Sequence, residues 1–360
     1  MASPSPSPER PIRVLVVDDS PFMRHAIERL IAAIPGAQVA GTAGDGLEAV
    51  RKALELRPDV ITMDVEMPRM NGVAAVAEIM STVPTPIVML STLTTEGADT
   101  TLRAIDAGAV EIVTKPSGLS NDLVNVGERL AEAVTRASYA RVSRRHPAIT
   151  LAPPPTPTRP TTGGPSVSAQ YVVVIGSSTG GPPALSAVVP KLPADLPAGV
   201  LVVQHMPPGF TGALAKRLDS LSQLPVREAV DGELVAVGQV LVAPGDFHLI
   251  VGPDRRIRLD QGPTVHGVRP SVDITLQSVA AVYGKRASVA ILTGMGRDGA
   301  DGSVAVERSG GSIFTQDEPS CVVYGMPRVA KERTQHAVEA PLDRIAGLLA
   351  RSVPGWRGAR

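Results

Sequence analysis

Two long stretches of this chain alternate short apolar runs with amphipathic segments. That alternation limits the fold more than any other feature. The first stretch runs from about Ile12 to Ala133. "IRVLVVDD" is an apolar strand, and "SPFMRHAIERLIAAIPG" then places Phe22, Ala26, Ile27, Leu30 and Ile31 at helical spacing before stopping at Pro35-Gly36. The strands "AQVAGTAGDG", "DVITMDVEMP", "TPIVMLST" and "AVEIVTKP" come next. Helical patterns lie near "LEAVRKALELRP", "NGVAAVAEIMSTV", "ADTTLRAIDAG" and "NDLVNVGERLAEAVTRAS". Five strands alternating with five helices predict an α/β fold, a (βα)5 domain on a doubly wound parallel sheet. Functional residues of such sheets gather at the carboxyl ends of the strands.

The second stretch begins near Tyr171. Strand patterns are "YVVVIGS", "GVLVVQHM", "QVLVAPG", "FHLIVG", "RIRLD" and "ASVAILTGMG", and helical patterns include "GPPALSAVVPKL", "TGALAKRLDSL", "SVDITLQSVAAVYG" and "DGSVAVERSG". A second doubly wound, mostly parallel α/β domain is expected, with a small antiparallel insertion around Asp246 to Asp260. Between the two, "RASYARVSRRHPAITLAPPPTPTRPTTGGPSVSA" is rich in Pro, Ser, Thr and Arg and has no apolar period, which reads as a linker. The expected organisation is a disordered tail over 1–11, a first domain over 12–133, a linker over 134–169, a second domain over 170–353 and a tail over 354–360. At 360 residues and 43% hydrophobic content the chain can build two cores, and with 2% aromatics they must be aliphatic. Its 35 basic and 35 acidic residues cancel, so no global field draws it to nucleic acid or an anionic membrane. A single cysteine, Cys321, excludes an internal disulfide framework. "MASPSPSPERP" has no apolar signal core, and no run approaches a membrane span, so a cytoplasmic location is expected.

Four strand ends of the first domain carry chemistry. Asp18 and Asp19 end the first strand, Asp64 the third, Ser91-Thr92 the fourth and Lys115-Pro116 the fifth. Carboxylates crowded on one edge repel one another unless a cation sits among them, and hard oxygen ligands select Mg²⁺. A carboxylate beside Mg²⁺, an ammonium and a hydroxyl can attack a phosphoryl donor, and Asp64, alone at its strand end, is the best-placed nucleophile. Asp ends many strands because it favours turns, but four functional strand ends together outweigh that reading. The set "VVDDS", "MDVEMPRMNG", "MLST" and "TKP" resembles the receiver domain of bacterial response regulators. The resemblance implies that Asp64 accepts phosphate from a histidine kinase. It implies that Asp18, Asp19, Asp64 and the backbone carbonyl of Glu66 bind Mg²⁺, that Ser91 is the switch hydroxyl and that Lys115 contacts the phosphate. Asn71 is expected only to shape its turn.

In the second domain the apolar strand "VVVIG" runs into "SSTGGPP". A Walker loop needs a lysine where Pro182 follows Gly181, and G-x-G-x-x-G fails at Ser177 and Ser178. Gly176, Ser178 and Gly180 do satisfy G-x-S-x-G, the nucleophile-elbow spacing. A helix starting near Gly181-Pro182 would point its positive end at the serine. Of six histidines, His25, His146 and His336 lie elsewhere in the pattern, which leaves His205, His248 and His266 as candidate bases. His205 closes an apolar strand and should share an edge with Ser178. His248 reads as a strand position in the insertion, and His266 lies in a loop that looks substrate-facing. Asp298, just beyond another apolar strand, is the preferred orienting carboxylate, with Asp301 as competitor. The order Ser, His, Asp differs from that of ordinary α/β-hydrolases. Cys321 has no histidine beside it and reads as a small buried residue.

The motifs "IGSSTGG", "VVQHMPPGFT", "VAPGDFHL", "RPSVD", "LTGMGRDGADG" and "VVYGMP" resemble, in order, the chemotaxis protein-glutamate methylesterases of the CheB type. That resemblance implies Ser178 as nucleophile, His205 as general base, Asp298 as its orienting acid and the backbone near Met295 as oxyanion donor. The implied substrates are γ-glutamyl methyl esters of chemoreceptors, with deamidation of receptor glutamines at the same site. It also implies a receiver that blocks the esterase until Asp64 is phosphorylated. Ester hydrolysis itself needs no cofactor on this reading. Two alternatives differ in class: a receiver-gated serine esterase for another protein or small ester, and a non-enzymatic DNA-binding regulator. The last is disfavoured because the second domain has no basic recognition helix.

Overall fold

A computed structural model describes residues 10–92, 95–115, 120–143 and 167–356. The centre of the expected linker, His146, Pro116 and most of both expected tails lie outside the described residues. The chain divides between Thr150 and Leu151 into two compact units.

The first unit holds β1 (Ile12–Val17), β2 (Ala37–Ala43), β3 (Val60–Asp64), β4 (Ile87–Ser91) and β5 (Glu111–Thr114). Their order is β2-β1-β3-β4-β5, and every neighbouring pair is parallel. β3 and β4 are buried from end to end, which is why they read as unbroken apolar runs rather than alternations. Helices Pro21–Ala32, Gly46–Leu56, Gly72–Thr82, Thr95–Ala107 and Ser120–Ser138 succeed the strands in turn. Three begin at side-chain caps: Met23 N–H donates to Ser20, Glu48 N–H to Asp45 and Ala74 N–H to Asn71. Asn71 therefore shapes its turn, as expected. The strand order reverses between β1 and β3. Val17 pairs in register with Met63, so the next residue on each strand, Asp18 and Asp64, meet at the switch point.

The second unit holds β6 (Tyr171–Ser177), β7 (Ala198–Gln204), β8 (Val226–Glu228), β9 (Val240–Val242), β10 (His248–Val251), β11 (Ile257–Asp260), β12 (Ala287–Ile291), β13 (Ser312–Gln316) and β14 (Val338–Ala340). Seven of these form one parallel sheet, ordered β14-β13-β12-β6-β7-β9-β8. β10 and β11 make the expected antiparallel pair. The chain builds outward from β6 through β7 and then returns to lay β12 on the other side of β6. The switch point therefore lies between the ends of β6, β7 and β12. The core is aliphatic, with Val172, Val174, Leu201, Val203, Leu276 and Val289 all fully buried.

Several elements exceed the expectation. β8 and β14 have three residues each, too few to show an alternation. β13 buries Thr315 and Gln316, polar residues that hide a central strand from a hydrophobicity reading. Helices Met326–Arg333 and Leu342–Ser352 complete the unit. At the expected boundaries, the helix from Ser120 continues to Ser138. Ser168 already bridges Ala236, Ala169 is buried, and the Trp356 indole donates to Asp195 at 3.2 Å. No described helix is long and apolar enough to cross a membrane.

Candidate functional site

The acidic edge of the first unit gathers Asp18, Asp19 and Asp64 so that one oxygen of each lies within 4.8 Å of the others. Asp18 and Asp64 are buried and Asp19 is exposed. Lys115 Nζ stands 2.7 Å from both Asp18 Oδ2 and Asp64 Oδ2. Burial raises the Asp64 carboxyl above its ordinary value, and the Asp18 charge adds to the rise against the pull of Lys115 and of the Val65 N–H. Burial disfavours the Lys115 ammonium, yet bonds to both carboxylates lift it above the ordinary lysine value. Three carboxylates against one ammonium leave an anionic surplus in a confined site, and all the donors are hard oxygens. The residues therefore fit a divalent cation of the Mg²⁺ kind. Ser91 ends β4 and is buried, and its Oγ accepts from Thr101 Oγ1 at 2.7 Å.

In the second unit, Ser178 and His205 each occupy the first position beyond a strand. The strands pair in register at Ser177 and Gln204, and His205 N–H donates to Ser177 O at 3.1 Å. Gly180 closes the turn after the serine with φ +76, a conformation that costs other residues a Cβ clash, and the helix Gly181–Val188 starts at once. Ser178 N–H donates to Thr293 O at 3.0 Å. Gly294 then passes so close that a Cβ there would lie 2.8 Å from Ser178 Cβ and 2.4 Å from Met326 Sδ. Only glycine fits there, and Met295, the expected oxyanion donor, is the next residue in the chain. Gly325 and Met326 N–H groups hold this loop from behind by donating to Gly294 O.

His205 Nε2 lies 2.7 Å from Asp298 Oδ2. An ionised carboxylate only accepts, so Nε2 carries the proton and Nδ1 keeps the lone pair. Among the described residues no hydrogen bond joins Ser178 Oγ to this imidazole. Asp298 also receives Val272 N–H at 2.7 Å, Ser271 Oγ at 2.8 Å, Asp273 N–H at 2.9 Å and Gly299 N–H at 3.0 Å. It caps, from a distant loop, the helix Val272–Tyr283, whose own N-terminal Ser271 makes no side-chain cap. Burial alone would raise the Asp298 carboxyl. The bond from His205 and those from the helix N–H groups instead hold it well below the usual carboxylate range.

Models of two families match these units: the response regulator receiver domain over residues 14–126 and the CheB methylesterase over residues 173–349. A protein-glutamate methylesterase/protein-glutamine glutaminase of Symbiobacterium thermophilum is 49% identical over 96% of this chain and 98% of its own length. One of the same name from Thermotoga maritima is 48% identical over 89% of this chain and 92% of its own. The crystal structure of the Thermotoga maritima CheB methylesterase catalytic domain is 45% identical, covers 51% of this chain and 98% of its own, and superposes with a TM-score of 0.48. The chain belongs to the CheB family.

In this CheB chain the other candidates named from sequence have partners of their own. Asp301 does not approach His205; it pairs with Arg333 Nη1 at 2.5 Å. His248 lies on β10, where it contacts Pro263 O and accepts from Ser271 N–H at 3.2 Å. His266 Nε2 lies 3.1 Å from Asp273 Oδ2, forming a second His–Asp pair behind Asp298. Burial, and then the Asp298 charge, push the Asp273 carboxyl up to about 6. His266, Asp273 and Asp301 also cluster within 4.8 Å, but the Arg333 guanidinium on Asp301 and Arg297 beside His266 already supply the positive charge a metal would bring. Cys321 is buried, with its thiol pushed up to about 12 by burial. Residues that sequence did not single out are Gln204, Ser271 and Thr293. Each acts through bonds to segments distant in sequence, so no local motif marks them.

Proposed function

We propose that the chain is a phosphorylation-regulated hydrolase of receptor γ-glutamyl methyl esters that also deamidates receptor glutamines. The observation that carries this reading is the His205–Asp298 pair, its carboxylate buried and its imidazole partly so, at the sheet edge that also carries Ser178, in a chain whose other unit presents the Asp64 cluster. Ser178 Oγ attacks the glutamyl carbonyl carbon while His205 Nδ1 takes the hydroxyl proton. Asp298 holds the ring in the required tautomer and balances the imidazolium. The carbonyl oxygen becomes an oxyanion facing the Met295 backbone and the start of the helix Gly181–Val188. Collapse expels methanol from an ester, or ammonia from an amide, with the proton returned by His205. Water then attacks the glutamyl–Ser178 ester by the same route and frees the γ-carboxylate.

In the receiver, Asp64 takes the phosphoryl group from a histidine kinase or a small phosphodonor. Asp18, Asp19, Asp64 and the Glu66 carbonyl would hold Mg²⁺, which when bound supplies charge neutralisation to the transferring group. Lys115 pairs with the phosphoryl oxygens, and Ser91 is the switch hydroxyl. The substrates belong to the cytoplasmic helices of chemoreceptors, and the enzyme works in the cytoplasm without entering the membrane. The test is methanol release from methylated receptor cytoplasmic fragments, with and without acetyl phosphate and Mg²⁺. The expected outcome is release that disappears in Ser178→Ala and that responds to acetyl phosphate only while Asp64 is present. Release that survives Ser178→Ala would overturn the nucleophile, and release from small esters alone would overturn the receptor substrate.

A further inference from the structure

Gln204, the last residue of β7, is a long polar side chain that is almost fully buried at 2% exposure. Such a group persists in a core only when its donors and acceptor are matched. Here all are. Its Oε1 accepts from Ser177 Oγ at 2.7 Å, and its Nε2 donates to Ser178 O at 2.9 Å and to His205 O at 3.0 Å. The three partners are the residue before the serine, the serine itself and the histidine. We propose that Gln204 is a positioning residue for catalysis, an amide clamp that fixes the loop carrying Ser178 relative to the loop carrying His205. This rests on the nucleophile and base assigned above.

The clamp completes a set of backbone ties. His205 is held through its N–H by Ser177 O and through its carbonyl by Gln204. Ser178 is held through its N–H by Thr293 O and through its carbonyl by both Gly181 N–H and Gln204. Each reacting residue thus has both flanking peptides pinned, and among the described residues Gln204 is the side chain shared by the two. The site was built around this amide: a Cβ on Gly181 would lie 1.9 Å from Gln204 Oε1. Gln204 need not touch substrate. Its role is to keep the distance from Ser178 Oγ to His205 Nδ1 within the range for proton transfer, where a displacement of about 1 Å costs on the order of a hundredfold in rate.

The test uses the full chain and two readouts. One is methanol release from methylated receptor fragments, separated into kcat and KM. The other is labelling of Ser178 by a fluorophosphonate, in which the Ser178 Oγ–P bond forms, the P–F bond breaks, fluoride leaves and the serine proton passes to His205. Gln204→Met keeps the volume and removes every bond. It should lower kcat and the labelling rate by about a hundredfold while KM stays within about threefold. Ser177→Ala frees only Oε1 and should lower both rates by about fivefold. It carries the test if Gln204→Met does not fold. Thermal unfolding of each variant accompanies the rates. A folded Gln204→Met, or failing that a folded Ser177→Ala, with both rates within about twofold of wild type would overturn the clamp. A rise in KM alone would also overturn it, by assigning the residue to binding. Wild-type labelling at Ser178 without methanol release would indict the substrate and leave the clamp to be judged by labelling. Absence of wild-type labelling would remove the nucleophile and the clamp together.

Discussion

The two sheet edges of this chain use the same topology for opposite electrostatic ends. Each lies where the strand order reverses, and each brings a buried aspartate together with residues distant in sequence. At the first edge three carboxylates crowd together, two of them share one ammonium, and the Asp64 carboxyl is raised. At the second, Asp298 takes five donors and is held well below the carboxylate range. A site with surplus charge is completed by what binds it, and so responds to a cation and a phosphoryl group. A site whose charge is already matched is preorganised and can run the same reaction repeatedly. Regulation and catalysis are divided between the units on that physical basis.

The largest effect that would break this contrast is at Asp298. Asp298→Asn keeps the shape but lets the amide donate to His205 Nε2, which moves the proton to Nδ1 and removes the base. Methanol release should fall by about 10⁴-fold in kcat. The same variant checks the linkage. A depressed carboxyl contributes stability above its unfolded value of about 3.9 and loses it only as pH falls through the lower folded value. The wild type should therefore be the more stable protein at pH 7, with the gap closing only in strong acid. Equal stability across that range would mean the five donors are not selective for the charged form.

Gly294→Ala is next in size. The added methyl would overlap Met326 Sδ and press on Ser178 Cβ, so either the Met295 loop or the serine must shift. About a hundredfold loss of kcat is expected, with Ser178 still labelled more slowly by a fluorophosphonate. A smaller effect sharpens the receiver side. Mg²⁺ at about ten times its dissociation constant should stabilise the first unit by about 1.4 kcal/mol, seen as a shifted calorimetric transition of the full chain. Asp18→Asn should abolish most of that shift while leaving the second transition in place. A shift unchanged by Asp18→Asn would move the cation elsewhere.

Much of this was legible in sequence because both sites sit at strand ends. "VVDD", "TMD" and "TKP" announce their strands by apolar runs and their chemistry by the charged residue that closes each run. In a doubly wound sheet that is enough to predict one shared edge. Ser178 and His205 were legible for the same reason. Asp298 was preferred over Asp301 on position alone, because two carboxylates three residues apart in one glycine-rich turn differ only in which one reaches the N-terminus of the helix Val272–Tyr283. That helix start is fixed by a cross-molecular cap. Gln204 was invisible as a functional residue because its polar side chain ends an apolar strand, where a sequence reading assigns it to the edge of the core. β13 was missed because it buries two polar side chains, Thr315 and Gln316, and Gln316 is held there by bonding rather than by hydrophobicity; Thr293 N–H donates to Gln316 Oε1 at 2.8 Å.

The smallest effect bears most directly on the comparison, because it sets attraction against burial at one residue. Asp64 has Lys115 at 2.7 Å, which favours its charge, and it is buried beside Asp18, which opposes it. The net rise of its carboxyl says that burial and the neighbouring charge win. A raised folded value means that the protonated form fits the fold best. No penalty then exists below the unfolded value of about 3.9, and stability is lost as pH rises through the folded value and stays lost at neutrality. Asp64→Asn removes the penalty and leaves Lys115 its bond to Asp18. Without Mg²⁺ the transition that Mg²⁺ shifts in the wild type should therefore be more stable in Asp64→Asn by about 1 kcal/mol at pH 7, and equal to the wild type near pH 3. If Asp64→Asn is instead less stable at pH 7, the Lys115 pair outweighs burial. The first edge would then be a satisfied site like the second, and the division of labour between them would need another cause.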